Sequence, residues 1–284
     1  MKKIFLIGSN SYLSKKLINR FNKEKFSFIT VSSTSNNSDI KLDLNHVNRF
    51  NFDVLRKNDL VIFLSAISSP DKCQKEFKTS FKINVTGTIK FIEESLNRKV
   101  NVLFFSSDTV FGSDNGQNDE DTLPISPVGE YAFMKLSVEN YFKNEPNFKI
   151  FRLSYVFSWD DKFMQYLHHC KNKNIIAEIF HPFTRKMVYV QDVIDGILKL
   201  VNKWDSSDMQ IFNFCGSSQY SRLDIVRLYN KIVATVNYEI SKPPIFFYKA
   251  RPHIIYINSK YTESLIGRPF TKIEDAIKIE KLNN

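Results

Sequence analysis

Cysteine is scarce in these 284 residues, and the three that occur, Cys73, Cys170 and Cys215, are widely spaced. That spacing excludes a disulfide framework and fits free, buried thiols in a reducing cytoplasm. His168-His169-Cys170 is a local run of metal-ligand residue types, but adjacent side chains on a helix point apart and no carboxylate partner is evident. No metal is expected. Long apolar runs are missing too. Ile4 to Ile7, behind Lys2 and Lys3, is too short for the core of a signal peptide, and no stretch approaches the ~20 residues of a membrane span, so no membrane partner is expected. Nor is there an arginine-rich arm: the net charge is +10 and the pI near 9.3, yet Lys and Arg are scattered among Asp and Glu. A solvated basic surface explains that balance, and no nucleic acid is expected. The excess also suits an anionic substrate such as a nucleotide diphosphate.

Glycine is missing where a phosphate turn would carry it. Lys2 to Ile7 reads as a buried strand, and Gly8-Ser9-Asn10-Ser11-Tyr12-Leu13-Ser14 as the turn into a helix that continues to Phe21. Strand, turn and helix are the arrangement in which backbone N–H groups and a helix N-terminus receive a pyrophosphate. The usual motif has glycine at positions 8, 11 and 14; here Ser11 and Ser14 replace two of them. Serine is small, caps helices and donates to phosphate, although an ordinary strand-helix corner reads the same way. A second strand, Phe26 to Val31, ends in Ser32-Ser33-Thr34, with no acid for a ribose 2′-OH and no arginine for a 2′-phosphate. The cofactor choice therefore stays open between NAD and NADP, with NADPH favoured because nothing repels its phosphate. Asp43, in Lys41-Leu42-Asp43-Leu44, is placed to reach the adenine.

Further along, Asp59 to Leu64 is a buried strand leading to Ser65-Ala66-Ile67, whose small side chains would let a cofactor pass closely. Pro70 opens a long helical segment to Leu96, Met164 to Cys170 reads as helix, and Asn172 to Phe183 as irregular. Phe148 to Leu153 and Ile211 to Phe214 are strands. Helices are expected from Val188 through Val201, from Ser221, as N-cap, to Val233, and from Ile273 to Ile279. Alternating strands and helices predict an α/β fold with a doubly wound parallel sheet.

The stretch from Asn101 to Lys135 organises the rest. Val102-Leu103-Phe104-Phe105 breaks into Ser106-Ser107-Asp108-Thr109-Val110-Phe111-Gly112, and after an acidic connection Tyr131 and Lys135 stand on a helix-like stretch to Lys143. Tyrosine titrates near ~10, but a close cation favours the phenolate and brings it toward neutrality. Residues four apart share a helix face, so Lys135 is expected under the Tyr131 ring, supplying that charge. Ser107 would give a second hydrogen bond to the same substrate oxygen. Together they polarise a carbonyl or hydroxyl while hydride moves at its carbon. Spacing alone says little, because Tyr-x-x-x-Lys recurs at Tyr12/Lys16, Tyr238/Lys242 and Tyr256/Lys260. Only the Tyr131 copy follows a strand ending in hydroxyls and opens a helical stretch.

In this order, with Ile83-Asn84-Val85, Arg152-Leu153-Ser154, Arg185 to Val193 and Arg251-Pro252, the pieces resemble the extended short-chain dehydrogenase/reductases that act on nucleotide-activated sugars. The nearest likeness is to the dTDP-4-dehydrorhamnose reductase-like branch. The resemblance implies a Rossmann domain of residues 1–157 and 188–213, and a smaller C-terminal substrate-binding domain of 158–187 and 214–284. It makes Tyr131 the proton donor, Lys135 the residue that holds the nicotinamide ribose and tunes Tyr131, and Ser107 the catalytic hydroxyl. Gly8, Ser9, Asn10, Ser11, Tyr12, Leu13, Asp43, Leu44, Ser65 and Ala66 would hold the cofactor.

Asp108, Thr109, Arg185 and Arg251 would face a nucleotide-sugar substrate, the two arginines suiting its diphosphate and reading equally well as ordinary salt bridges. Dehydratases of the family place Asp then Glu after the hydroxyl residue; Thr109 replaces that Glu, which disfavours dehydration. The GDP-fucose synthase branch would place Cys at Asp108. The implied reaction is reduction of a nucleotide-linked 4-keto-6-deoxy sugar, dTDP-linked by the family likeness, for surface polysaccharide. A 4-epimerase and a non-catalytic dinucleotide sensor are the alternatives, and family analogy suggests a homodimer.

Overall fold

The computed structural model describes residues 2–34, 38–113 and 116–283. The short apolar runs of the first half become strands, and helices fill the intervals between them. In chain order they are β1 (Ile4–Ile7), α1 (Tyr12–Lys23), β2 (Phe28–Ser32), β3 (Ile40–Lys41), β4 (Leu60–Phe63), α2 (Pro70–Lys75), α3 (Phe77–Phe81) and α4 (Thr88–Asn97). Next come β5 (Asn101–Ser107), α5 (Glu130–Phe142), β6 (Phe148–Leu153), β7 (Tyr155–Phe157), α6 (Lys162–Lys173), β8 (Ala177–Phe180), β9 (Thr184–Tyr189) and α7 (Val190–Lys203). The remainder is β10 (Ile211–Phe214), β11 (Gln219–Ser221), α8 (Arg222–Ile232), β12 (Tyr238–Ser241), α9 (Thr262–Ile266) and α10 (Ile273–Leu282).

Seven strands form one sheet in the order β10-β6-β5-β4-β1-β2-β3, with parallel pairing throughout. The chain winds outward from β1 through β2 and β3, then restarts on the other side at β4. That reversal leaves a crevice at the carboxyl ends of β1 and β4, the place where doubly wound sheets bind ligands. Because both faces are covered, alternate residues serve two cores. Ile4, Leu6, Leu60, Ile62 and Leu103 pack with Leu17 and Phe21 of α1 and Ile194 and Ile197 of α7. Phe5, Ile7, Val61, Phe63 and Val102 pack with Phe91 and Ile92 of α4 and Val138 and Phe142 of α5. Burial of each such large side chain contributes roughly 1.5–3 kcal/mol.

Two smaller sheets, β11-β9-β7 and β12-β8, belong to the second half of the chain. The first begins at Tyr155, two residues after β6 ends, so it starts from the carboxyl edge of the central sheet. A buried ion pair, Arg152 Nη2 to Glu139 Oε2 at 2.7 Å, ties α5 to β6. The first turn of α1 is tied to the segment after β7: the Tyr12 hydroxyl bonds Ser158 and Asp160, and Lys16 Nζ lies 2.6 Å from Asp160. Between those two anchors Trp159 lies on His168, with centroids 4.6 Å apart.

Three local expectations change. Val188 and Tyr189 extend β9 rather than opening a helix, because they pair with Val156 and Phe157 of β7. The stretch read as irregular contains the end of α6 and strand β8, whose partner β12 lies some sixty residues further on and gives no local signal. The single helix expected from Pro70 is interrupted at Glu76 and widened into a π-turn over Lys82–Gly87. There Gly87 is required by close approach, since a Cβ would stand 2.0 Å from the Leu44 carbonyl oxygen. The widened turn also sets Asn84 against the backbone of Ile67, accepting from its N–H at 2.8 Å and donating to its carbonyl at 2.9 Å.

Candidate active site

The turn after β1 is built on Gly8, which adopts φ +85° and donates from its N–H to the Val31 carbonyl at 2.8 Å. An added Cβ would lie 2.8 Å from the backbone N and Cα of Ser65, so this corner presses β1 against the end of β4. Ser11 caps α1 by accepting from Ser14 N–H at 3.3 Å. Ser14 is fully buried and donates its hydroxyl to the Gly8 carbonyl at 2.8 Å. The two serines that replace glycines therefore close the turn on itself. No acidic residue stands in the first turn of α1, which leaves its N–H groups and dipole open to an anion.

A cleft of about 320 Å³ opens over this turn. Of the residues expected to hold a dinucleotide, Gly8, Asn10, Ser11, Asp43, Leu44, Ser65 and Ala66 line it. Ser9, Tyr12 and Leu13 do not. Ser9 is buried, Leu13 belongs to the core beneath α1, and Tyr12 points away to Ser158 and Asp160. Tyr12 and Lys16 thus share α1, as a helix running to Phe21 implies, but β1 before them does not end in hydroxyls. Ser32, Ser33, Thr34, Asn45 and Ile83 complete the wall. Asn10 Nδ2 donates to Ser32 Oγ at 2.9 Å, so the rim at the end of β2 is neutral and rich in hydroxyls and amides. Asp43 accepts from His46 Nδ1 and from Asn45 N–H, both at 2.9 Å; the His46 contact and then the Asn45 N–H hold its carboxyl below the usual range. The shape and donor set fit a dinucleotide whose pyrophosphate lies on the N-terminus of α1.

Beyond the cleft, β5 delivers Ser107 and α5 delivers Tyr131 and Lys135. Lys135 is buried and donates from Nζ to the Phe105 carbonyl at 2.7 Å, with its ammonium 5.8 Å from the centre of the Tyr131 ring. Burial lowers its pKa to about 8, against an opposing pull from Glu139. The Tyr131 ring packs beside Cys73 and Met134, near the amide of Asn84. Here the expected balance reverses: burial, then Cys73 and Asp108, push the phenol above its ordinary value. Tyr131 is thus the protonated form, suited to giving a proton.

The Ser107 hydroxyl donates to Asp108 Oδ1 at 3.2 Å and accepts from Thr109 Oγ1 at 3.0 Å. Burial raises the Asp108 carboxyl to about 6 although Arg185 pulls the other way, and its Oδ2 is buried without a hydrogen-bond partner. Arg185 is itself buried and donates to the carbonyls of Thr184, Pro252 and His253. Arg251 forms an ion pair with Asp71 of α2 at 2.5 Å. Arg251 is thus held in an ion pair, and Arg185 fastens the 252–253 segment. Asn84, Cys73 and Arg222 were not singled out for the site from sequence; Asn84 was visible only as part of a run of family-like residues. Among the described residues no group of three or more His, Cys, Asp or Glu is placed to hold a metal ion, and no helix is long and apolar enough to cross a membrane.

A doubly wound sheet with a phosphate turn after β1, a hydroxyl at the end of β5 and Tyr and Lys one turn apart on α5 defines an extended short-chain dehydrogenase/reductase. Within that class the chain belongs to the RmlD substrate binding domain family, whose model matches residues 1–243. Similar solved structures include dTDP-4-dehydrorhamnose reductase from Bacillus anthracis in complex with NADP, 18% identical with a TM-score of 0.82 over 100% of both chains. UDP-glucuronic acid 4-epimerase from Bacillus cereus, in complex with UDP-glucuronic acid and NAD, is 21% identical with a TM-score of 0.80 over 98% of each chain. UDP-glucose 4-epimerase from Thermotoga maritima, with UDP-glucose, is 18% identical with a TM-score of 0.79 over 99% of this chain and 98% of its own. At these identities the likeness establishes a shared fold.

Proposed function

We propose that the protein is an NADPH-dependent reductase acting at the C4 keto carbon of a nucleotide-linked 4-keto-6-deoxy sugar, with dTDP as the favoured nucleotide. The observation that carries this reading is the group at the end of β5, where Ser107 is hydrogen-bonded to Asp108 and Thr109, with the half-buried phenol of Tyr131 near enough to Asp108 to be raised by it. The keto oxygen would lie between the hydroxyls of Ser107 and Tyr131. Reduced nicotinamide supplies hydride when bound. Tyr131 then gives its proton to the new alkoxide, and Lys135 stabilises the phenolate left behind. Ser107 turns its hydroxyl from Asp108 to the substrate oxygen. Thr109 offers no carboxylate to remove a proton, which is why reduction rather than dehydration is favoured.

Residues 1–157 and 188–213 would hold the cofactor, through Gly8, Asn10, Ser11, Asp43, Leu44, Ser65 and Ala66. Residues 158–187 and 214–284 would hold the sugar nucleotide. The neutral rim at Ser32, Ser33 and Thr34 supports NADPH, because no carboxylate there repels a 2′-phosphate. Family membership and the NADP-bound reductase of the same fold support the reaction class.

The test is NADPH and NADH oxidation by the purified protein with dTDP-4-keto-6-deoxyglucose and with its UDP and GDP counterparts. Consumption that vanishes in Tyr131→Phe supports the reading. The neighbours of 4-epimerase activity favour a second reading. It requires interconversion of a UDP-sugar with no net cofactor consumption. Dinucleotide binding with neither activity would leave a sensor.

A further inference from the structure

Among the described residues, Arg222 is a half-buried cation without an acceptor. Arg222 is the first residue of α8, directly after its Ser221 cap, and its guanidinium makes no hydrogen bond or ion pair among the described residues. Instead it is ringed by phenyl groups. Its central carbon lies 5.2, 5.5, 5.5 and 6.0 Å from the ring centres of Phe163, Phe180, Phe183 and Phe247. Two of those rings are shared: Phe183 also faces Arg185 at 4.4 Å, and Phe247 faces Arg251 at 4.7 Å. Three guanidinium groups are therefore strung on two rings, in the order Arg185, Phe183, Arg222, Phe247, Arg251.

Aromatic faces attract a cation but give no acceptor to the N–H groups in its plane. Asp108, whose Oδ2 has no hydrogen-bond partner, lies near Arg185, and the other acids close by are engaged elsewhere. Asp224 caps Ser221, Asp161 accepts from Tyr155 and the first turn of α6, and Asp71 is paired with Arg251. Arg251 repels both Arg185 and Arg222. A small indentation lies beside Arg185 and Arg222, lined also by Tyr155, Phe183 and Tyr220. Clustered cations beside an aromatic-walled indentation, with one carboxylate in an ion pair among the three, are completed by an anion that accepts several hydrogen bonds.

We propose that Arg222 is a third cationic contact for the diphosphate of the nucleotide sugar and sets the preference for a diphosphate over a monophosphate. The proposal rests on the nucleotide-sugar reading above and adds a residue to it. Two linked phosphates carry more charge and more oxygens than Arg185 and Arg251 can satisfy while those residues hold carbonyls and Asp71.

Calorimetric titration of the full chain with dTDP, UDP and GDP, and with their monophosphates, tests this in wild type, Arg222→Met and Arg222→Lys. Arg222→Met should weaken the best-bound diphosphate by about 10- to 100-fold, the loss of one charge-assisted contact. The monophosphate and NADPH affinities should stay within about twofold. Arg222→Lys, which keeps charge without the fork, should fall between. Unchanged diphosphate affinity in Arg222→Met, or an equal loss for the monophosphate, overturns the proposal. NADPH binding and the melting temperature report whether each variant is folded, and if Arg222→Met is not, the Lys comparison decides: an unchanged diphosphate affinity there overturns it. Wild-type protein that binds NADPH but no nucleoside diphosphate overturns both this assignment and the nucleotide-sugar reading. Selective diphosphate loss without ketosugar reduction by wild type supports Arg222 and sinks the reductase reading alone.

Discussion

Lys135 Nζ and the Phe105 carbonyl are 2.7 Å apart, and that bond joins α5 to the strand that ends in Ser107. Tyr131 and Ser107 therefore stand on elements fastened to each other by Lys135. In Tyr131→Phe the bond survives and only the proton is lost. Turnover should drop by about 10²- to 10⁴-fold with NADPH binding intact. Lys135→Met removes the bond as well, so turnover, NADPH affinity and melting temperature should all fall; steady-state kinetics with fluorescence titration separates the two.

Asp108 supplies a pH test. Its carboxyl is raised from 3.8 to about 6, so between those values the folded chain holds a proton that the unfolded chain has released. This contribution to stability is complete below the unfolded value and is lost as pH rises through about 6. Relative to Asp108→Asn, the wild type should lose ~2 kcal/mol between about pH 4 and pH 7. Urea unfolding of both proteins at the two pH values measures it, and a difference that does not change with pH would refute it.

The serine turn makes a contrast between two glycine changes. Ser14→Gly restores the common residue yet deletes the buried bond to the Gly8 carbonyl, and should cost about 1–2 kcal/mol while leaving the NADPH dissociation constant within about twofold. Gly8→Ala forces a side chain onto Ser65 at a positive φ and should cost about 2–4 kcal/mol and weaken NADPH as well. Denaturant melts and cofactor titrations on both variants decide.

Cofactor choice is expected to turn on the end of β2. Ser33→Asp puts a carboxylate on the cleft wall, where it repels a 2′-phosphate and accepts from a 2′-OH. The ratio of kcat/KM for NADPH over NADH should fall by about tenfold or more, as one good charge-assisted contact is exchanged. An unchanged ratio would place the adenosine ribose elsewhere.

How much of this was readable beforehand follows from how local each signal is. The Phe148–Leu153 and Ile211–Phe214 strands and the Ser221 cap are written in runs of a few residues and stand where the sequence puts them. Strand β8 is not, because the residues that make it a strand are Tyr238 to Ser241. The balance at Tyr131 departs from its spacing for a related reason: helical spacing gives the distance to Lys135, whereas burial, and the Phe105 carbonyl that takes the ammonium, depend on the packed core. Arg222 looked like any residue after an N-cap, since its phenyl neighbours come from α6, β8 and the stretches around positions 183 and 247. Tyr12 reads as part of a phosphate turn by position and is removed from it only by contact with Ser158 and Asp160.

The tie between α1 and the segment after β7 makes the molecule its own optical gauge. Of its two tryptophans, Trp159 lies between Ser158 and Asp160, the two anchors of Tyr12, while Trp204 lies under Lys2 and Lys149 at 5.6 and 5.4 Å, away from the cleft lining. Replacing Trp204 by Phe would leave a single emitter whose surroundings are set by the joint between the two halves of the chain.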